Sequence, residues 1–245
     1  MSTKIHMVGA KGRMGQAIVH LAEEDVNFEV TGRVDTGDDL FGGIEDCDAV
    51  IDFSHHTITE EIAQKTAEAG KMLVIGTTGH DATTRKNVLS VAEKIPVVFA
   101  SNYAVGVNAL FHLTRKAAEI MGEDYDLEVV EMHHKHKKDA PSGTARTLAE
   151  TLCDVRGVDY NDVVVDGRSG EPGERPKGEI GMHALRGGDV VGEHTVYFAG
   201  AGERLELTIR SSSRDSYASG ALRAAAWLQG KAPREYSMLE VLGIE

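Results

Sequence analysis

Up to Ala100 the chain alternates short apolar runs with stretches of helical spacing, and this alternation constrains the fold more than any other feature. Lys4 to Val8, Phe28 to Val34, Ala49 to Phe53, Met72 to Ile75 and Pro96 to Ala100 read as strands. Arg13 to Glu24, Thr57 to Ala69 and Asp81 to Lys94 read as helices; in the second, Ile58, Ile62 and Ala69 fall on or near one face. Strands separated by helices of roughly 10–15 residues predict a parallel sheet of βαβ units, hence an α/β fold.

The first strand runs into Gly9-Ala10-Lys11-Gly12-Arg13-Met14-Gly15, where the first helix starts. Glycines at this spacing allow a tight turn and a close approach of backbone to a pyrophosphate, and the helix start adds free N–H groups. G-x-x-G-x-x-G is a variant of the usual dinucleotide fingerprint, and alone it is also compatible with a turn that binds nothing. Its place between strand and helix favours the nucleotide. So does Asp35, about twenty residues further on at the end of the second strand, where an acid can accept from ribose hydroxyls. An acid there favours NADH, whereas Lys11 and Arg13 can reach a 2′-phosphate, so use of both NADH and NADPH is expected. Gly76-Thr77-Thr78-Gly79 follows the fourth strand and Ala100-Ser101-Asn102-Tyr103 ends the fifth, both on the rim where open α/β sheets bind ligands. Position alone suggests Asn102 for the nicotinamide carboxamide and Tyr103 for packing near its ring.

Beyond Tyr103 the pattern changes. Val105 to Met121 reads as one long helix with Val107, Leu110, Leu113 and Ala117 at helical spacing, then Leu127 to Met132 as a strand. A helix is expected from about Gly143 to Val155, and strands of a mostly antiparallel sheet at Thr195 to Ala199 and Arg204 to Ser211, before a closing helix from Tyr217 to Gln229. Asp166 to Asp189, rich in Gly, Glu and Arg, is too long for an ordinary connection and reads as a functional or interface loop.

The chain carries a net charge of −13 at pH 7, which disfavours nucleic acid and also repels anionic substrates. Against that background Glu131-Met132-His133-His134-Lys135-His136-Lys137-Lys138-Asp139-Ala140-Pro141-Ser142-Gly143-Thr144 stands out as a basic island. It could be a solvated loop or a metal site. Adjacent His133 and His134 cannot point the same way from a strand end, however, so no metal is expected. The reading with most chemistry behind it is an anion site with an acid–base group. Ser142 is a good N-cap, the N–H groups of Gly143 and Thr144 can bind a carboxylate, and lysines can bind a second. A histidine can deliver a proton near neutral pH. The pattern suits a small dicarboxylate that is reduced and protonated.

These segments resemble 4-hydroxy-tetrahydrodipicolinate reductase, also called dihydrodipicolinate reductase, over essentially the whole chain. The specific parts are the glycine turn, Gly76 to Gly79, Asn102-Tyr103-Ala104-Val105-Gly106-Val107-Asn108, and the segment from Glu131 to Ala145. Val191 to Thr195 and Gly202 to Glu206 add to it. The resemblance implies an N-terminal Rossmann dinucleotide-binding domain, residues 1–103 with 215–245. A C-terminal α+β domain with a mixed or antiparallel sheet, residues 104–214, would bind substrate and form a homotetramer. It further implies His133 as general acid and Lys137 as a second proton donor or carboxylate partner. His134, Ser142, Gly143 and Thr144 would hold the substrate. Gly9, Ala10, Lys11, Gly12, Arg13, Met14, Asp35, Gly76, Thr77, Thr78, Ala100, Ser101, Asn102 and Tyr103 would hold NADH or NADPH. The sequence departs from the family pattern at Lys135, where arginine is common, at Tyr103 in place of phenylalanine, and at Ser54-His55-His56 in place of Thr-x-Pro. A different amino-acid dehydrogenase, such as an aspartate dehydrogenase, or a non-catalytic nicotinamide-binding sensor would share the glycine turn but not the histidine–lysine island.

Cys47 and Cys153 are too few for a disulfide scaffold and read as buried filler in a reduced, cytoplasmic protein. No apolar run reaches the roughly 18 residues of a membrane helix, and Met1 to Gly9 lacks a signal-peptide pattern, so no membrane partner is expected.

Overall fold

A computed structural model describes residues 2–244. In chain order the elements are β1 (Thr3–Val8), α1 (Arg13–Glu24), β2 (Phe28–Val34), β3 (Ala49–Asp52), α2 (Thr59–Glu68), β4 (Met72–Ile75), α3 (Ala82–Leu89) and β5 (Pro96–Phe99). Then come α4 (Val105–Met121), β6 (Asp126–His133), α5 (Gly143–Arg156), α6 (Tyr160–Val163), β7 (Val164–Asp166), β8 (Ile180–Arg186), β9 (Gly192–Ala199) and β10 (Arg204–Ser211). The chain ends with α7 (Asp215–Trp227), β11 (Arg234–Tyr236) and α8 (Met238–Leu242). Two compact units result: Met1–Val105 with Arg214–Glu245, and Gly106–Ser213.

The first unit is a six-stranded sheet in the order β11-β5-β4-β3-β1-β2, parallel throughout. Its strands are apolar on both faces because both faces are covered. Ile5, Met7, Ile51, Val74 and Val98 pack with Ile18 and Ala22 of α1 and Ala221 and Ala225 of α7. Their sequence neighbours Val8, Val50, Leu73, Ile75 and Val97 face the other way, against Ile62 of α2 and Val88 of α3. The strand order turns back at β1, which lies between β2 and β3, and this opens a crevice at the carboxyl ends of β1 and β3. The helix expected over Asp81 to Lys94 is split. Asp81 is the N-cap, its side chain accepting from Thr84 N at 2.7 Å, and α3 gives way to a 3-10 turn at Ser90–Glu93.

The second unit is a five-stranded mixed sheet, order β10-β9-β6-β8-β7, with β10, β9 and β6 antiparallel and β6, β8 and β7 parallel. Parallel pairing is therefore more extensive than the sequence suggested. Alternate residues Leu127 and Val129 of β6 and Val196 and Phe198 of β9 pack against Leu110 and Ala117 of α4 and Leu148 and Leu152 of α5. The segment read as one long loop contains β8, an inner strand between β6 and β7 that is buried at Ile180 to Met182. Its remaining stretch is pinned down. Arg168 and Arg175 bond Glu128, whose carboxylate also takes His183 Nε2 at 2.7 Å. Burial alone would raise the Glu128 carboxyl, but these donors hold it at about 2. Both cysteines are buried, and burial pushes the Cys47 thiol up to about 11, consistent with inert packing.

Candidate active site

In the first unit the glycine turn is shaped by steric necessity. Gly9 adopts φ +87°, and a Cβ there would lie 2.4 Å from the Phe53 carbonyl oxygen. A Cβ on Gly15 would lie 2.1 Å from Gly9 O, so glycine alone lets α1 start this close to β1. The helix is entered through Gly12 with no side-chain cap on its first-turn amides. Two cavities flank the turn. One, of about 380 Å³, is lined by Lys11, Gly12, Asp35, Thr36, Leu40 and His55 among others. The second, of about 280 Å³, is lined by Arg13, Met14, His56 and Gly76 to Thr78. Gly12, Phe53, Ser54 and His55 belong to both cavities, so the two form a groove along the sheet rim. A two-lobed groove meeting at an uncapped helix start fits a dinucleotide.

Asp35 accepts the N–H groups of Lys11 and Thr36, each at 2.7 Å. These bonds, Thr36 first, hold its carboxyl below the usual range. Lys11 Nζ pairs with Asp38 at 3.0 Å. Ala10 ties the turn to β2 through its N–H to Val34 O at 3.0 Å.

The segment Ala100 to Tyr103 lines neither cavity. Tyr103 corrects the sequence reading. Its ring is 1 % exposed, and its hydroxyl lies 2.8 Å from Ile75 O and 3.0 Å from Val98 O. It ties β4 to β5 inside the core, and burial raises its phenol further. Asn102 is also buried, its Oδ1 accepting from Ala104 N at 2.9 Å, while Ser101 is exposed and Ala100 half-buried.

In the second unit the period of β6 puts Glu131 and His133 on one face. Glu131 is wholly buried and organises everything around it. It accepts from His133 Nδ1 at 2.6 Å, from Ser142 N at 3.0 Å, and bidentately from Arg186 at 2.7 and 2.8 Å. Burial alone would raise this carboxyl; the bonds from His133 and Arg186 outweigh it and bring the group to about 2. The bond from Nδ1–H to Glu131 fixes the tautomer and the direction of the His133 ring. His194, 2 % exposed, stands edge-on to His133 at 5.2 Å between ring centres. Burial first, and the neighbouring His133 second, lower its pKa to about 4, so it is neutral near pH 7.

Ser142 is the N-cap of α5, accepting from Ala145 N at 3.2 Å, as its position in sequence suggests. Its N–H is engaged by Glu131 and its Oγ lies 3.0 Å from His194 Nε2, so it is turned inward rather than toward a substrate. Gly143 is exposed, with open space where a Cβ would stand, and Thr144 is half-buried. Lys137 Nζ pairs with Asp139 at 2.9 Å, and Arg186 also donates to the Asp139 carbonyl at 2.6 Å. His134, half-buried, follows the end of β6, with its ring centre 6.1 Å from that of His136. Among the described residues no cluster of metal-ligating side chains occurs.

Sequence reasoning missed three residues of this site: Glu131 as the organiser, Arg186 and His194. The signal for Glu131 was its spacing of two from His133. That for His194 was alternation with Val196 and Phe198. Arg186 lay on the strand that had been read as loop.

Acid should undo this cluster. Glu131, depressed from an ordinary 4.5 to about 2, contributes stability above its unfolded pKa that is lost as pH falls toward 2. His194, depressed from 6.5 to about 4, stays neutral in the fold while the unfolded chain takes up a proton, so stability also falls as pH drops from 6.5 to 4. The histidine alone amounts to ~3 kcal/mol. Urea unfolding at stepped pH should show this loss; an unchanged midpoint between about pH 7 and about pH 4 would contradict it.

The family model described as "Dihydrodipicolinate reductase, N-terminus" matches residues 3–103, and "Dihydrodipicolinate reductase, C-terminus" matches residues 106–242. A 4-hydroxy-tetrahydrodipicolinate reductase of Akkermansia muciniphila is 55% identical over 240 residues, covering 98% of each chain. One of Anaeromyxobacter dehalogenans is 46% identical over 265 residues, covering 99% of this chain and 98% of its own. Among solved structures, a dipicolinate-bound dihydrodipicolinate reductase from Paenisporosarcina sp. TG-14 superposes with a TM-score of 0.77 at 25% identity, covering 98% and 99% of the two chains. A probable dehydrogenase from Thermotoga maritima, with a TM-score of 0.65 at 13% identity over 97% and 92%, shares the fold. Both halves of the chain, and with them the glycine turn and the Glu131–His133 site, thus belong to the dihydrodipicolinate reductase family.

Proposed function

We propose that the protein reduces 4-hydroxy-tetrahydrodipicolinate (dihydrodipicolinate) to tetrahydrodipicolinate with NADH or NADPH, in lysine and diaminopimelate synthesis. The observation that carries this reading is the Glu131–His133 pair set beside the start of α5 in a basic segment of an acidic chain. A cyclic dicarboxylate needs cations and amides for its carboxylates and a proton for the reduced ring, and this segment offers all of them.

The first unit serves the cofactor. The turn from Gly9 to Met14 holds the pyrophosphate, Asp35 the adenosine ribose, and Gly76 to Thr78 the nicotinamide end, with Ala100 to Asn102 on the same rim. When bound, the nicotinamide supplies a hydride. The second unit serves the substrate. The amides of Gly143 and Thr144 bind one carboxylate, and Lys137 with His134 orients the other. Glu131 keeps the His133 proton on Nδ1, so the opposite nitrogen, when protonated, points its N–H toward the substrate and gives it up as negative charge develops. Neutral His194 at its side adds no competing charge.

Lys137→Ala should lower kcat/KM for the dicarboxylate about 10–100-fold, the scale of a charged hydrogen bond, while leaving the KM for NADH alone. Steady-state kinetics test this; an unchanged substrate KM and kcat would remove Lys137 from the site. Both cofactors should serve, because Asp35 suits a free ribose and Lys11 suits a 2′-phosphate; a preference of about a thousandfold either way would contradict that balance.

Three further readings complete the proposal. A homotetramer is supported by the face of the second sheet opposite α4 and α5, where Val130, Met132, Tyr197 and Leu185 remain partly exposed; light scattering of the purified protein tests it. A cytoplasmic setting accords with two buried, unpaired thiols. The charge of −13 disfavours nucleic acid as a partner; among the described residues no helix is long and apolar enough to cross a membrane.

A further inference from the structure

His55 and His56 take no part in the reading so far, yet both line the groove. His55 lines both of its lobes, together with Gly12, whereas His56 lines the Gly76–Thr78 lobe. A dinucleotide with its adenosine ribose at Asp35 and its nicotinamide at Gly76–Thr78 must pass its pyrophosphate through the junction that His55 and Gly12 share. The two imidazoles stack there at 4.2 Å between centres, with planes inclined by 34°. His55 is exposed and His56 half-buried. His55 Nδ1 lies 2.9 Å from Thr57 Oγ1, a hydroxyl that can donate to the neutral ring or accept from the protonated one. A proton on Nδ1 would keep the Thr57 hydroxyl as partner and give up only the longer contact from the Thr57 N–H at 3.4 Å.

The surrounding charges are mixed. Arg13 lines the same lobe as the pair, whereas Lys11 is held by Asp38 and the Asp35 carboxylate by two backbone amides. His80 meets His56 edge-on at 6.3 Å. Asp52 is buried beneath Ser54 and bonded to it, Asp81 opens α3, and Glu60 and Glu61 lie in the first turn of α2. A pyrophosphate brings a pair of negative charges to the junction, which would favour cationic partners there.

We infer that the stacked His55–His56 pair is a proton-linked clamp for the cofactor pyrophosphate, so that cofactor binding takes up a proton. The inference rests on the groove holding a nicotinamide dinucleotide, as proposed above. Its consequence is an affinity that falls as pH rises through the histidine range, with a limit of tenfold per pH unit for one linked proton.

The test is NADH binding by titration calorimetry from about pH 6 to about pH 8, in buffers of different ionisation enthalpy. Wild-type protein should bind with a rising Kd and a buffer-dependent heat that reports uptake. In the His55→Asn, His56→Asn double variant both should vanish; because His55 is exposed, the single variant His55→Asn should still fold and lose most of the slope. NADPH shares the pyrophosphate and should retain the linkage. A flat wild-type profile, or a slope that survives in the double variant, overturns the clamp while leaving the groove as a cofactor site. A slope seen with NADPH alone assigns the proton to the 2′-phosphate and overturns it too. Failure of wild-type protein to bind NADH at any pH overturns both readings.

Discussion

Replacing His133 with alanine is expected to lower kcat by about 10²–10⁴-fold, the usual contribution of a positioned acid, with little change in NADH affinity. The expectation comes from local geometry. His133 sits at the end of β6, its ring largely shielded, with Nδ1 2.6 Å from a carboxylate that has no exposure of its own. That arrangement fixes the tautomer and the ring direction. His133→Asn should recover little, since an amide cannot release a proton. Pre-steady-state NADH oxidation would separate this chemical step from product release. Near-normal turnover in His133→Ala would remove the acid from this position.

Glu131→Ala should be the costliest single change to the fold of the second unit, at about 3–5 kcal/mol. Removing a buried anion strands its partners: the Arg186 guanidinium, the His133 N–H and the N–H of Ser142 at the start of α5. Each was desolvated on the understanding of a charge opposite. Arg186→Met, which withdraws only one partner and fills the space with an apolar chain, should cost less. Urea unfolding of both variants checks the order. A Glu131→Ala loss under about 1 kcal/mol would mean the carboxylate does not organise the site.

The parts of this protein that could be read from its sequence are those set by local chemistry. The parallel sheet was legible because strands buried on both faces are continuous apolar runs, and the turn from Gly9 to Gly15 because close approach of α1 to β1 tolerates nothing larger. Ser142 was legible as a cap because capping is local. What stayed hidden required tertiary information. β8 was obscured by Gly181, whose missing side chain makes room for the Glu128 carboxylate; a Cβ there would lie 1.8 Å from Glu128 Oε2. With β8 unread, Arg186 had no place, although β6 and β8 pair His133 with Arg186 directly in register. Tyr103 was misread for a related reason. Its rim position follows from sequence, but its direction is set by the carbonyls of Ile75 and Val98 on neighbouring strands.

The central claim is that a buried carboxylate–imidazole pair in a cationic segment protonates a cyclic dicarboxylate reduced by the cofactor of the glycine turn. It is tested most directly by following NADH absorbance while purified protein meets 4-hydroxy-tetrahydrodipicolinate freshly made by the preceding synthase. The account predicts stoichiometric oxidation of NADH at an ordinary enzymatic rate, about 1–10³ per second, abolished when the substrate is withheld. NADH that binds but is not consumed on addition of that substrate would contradict it.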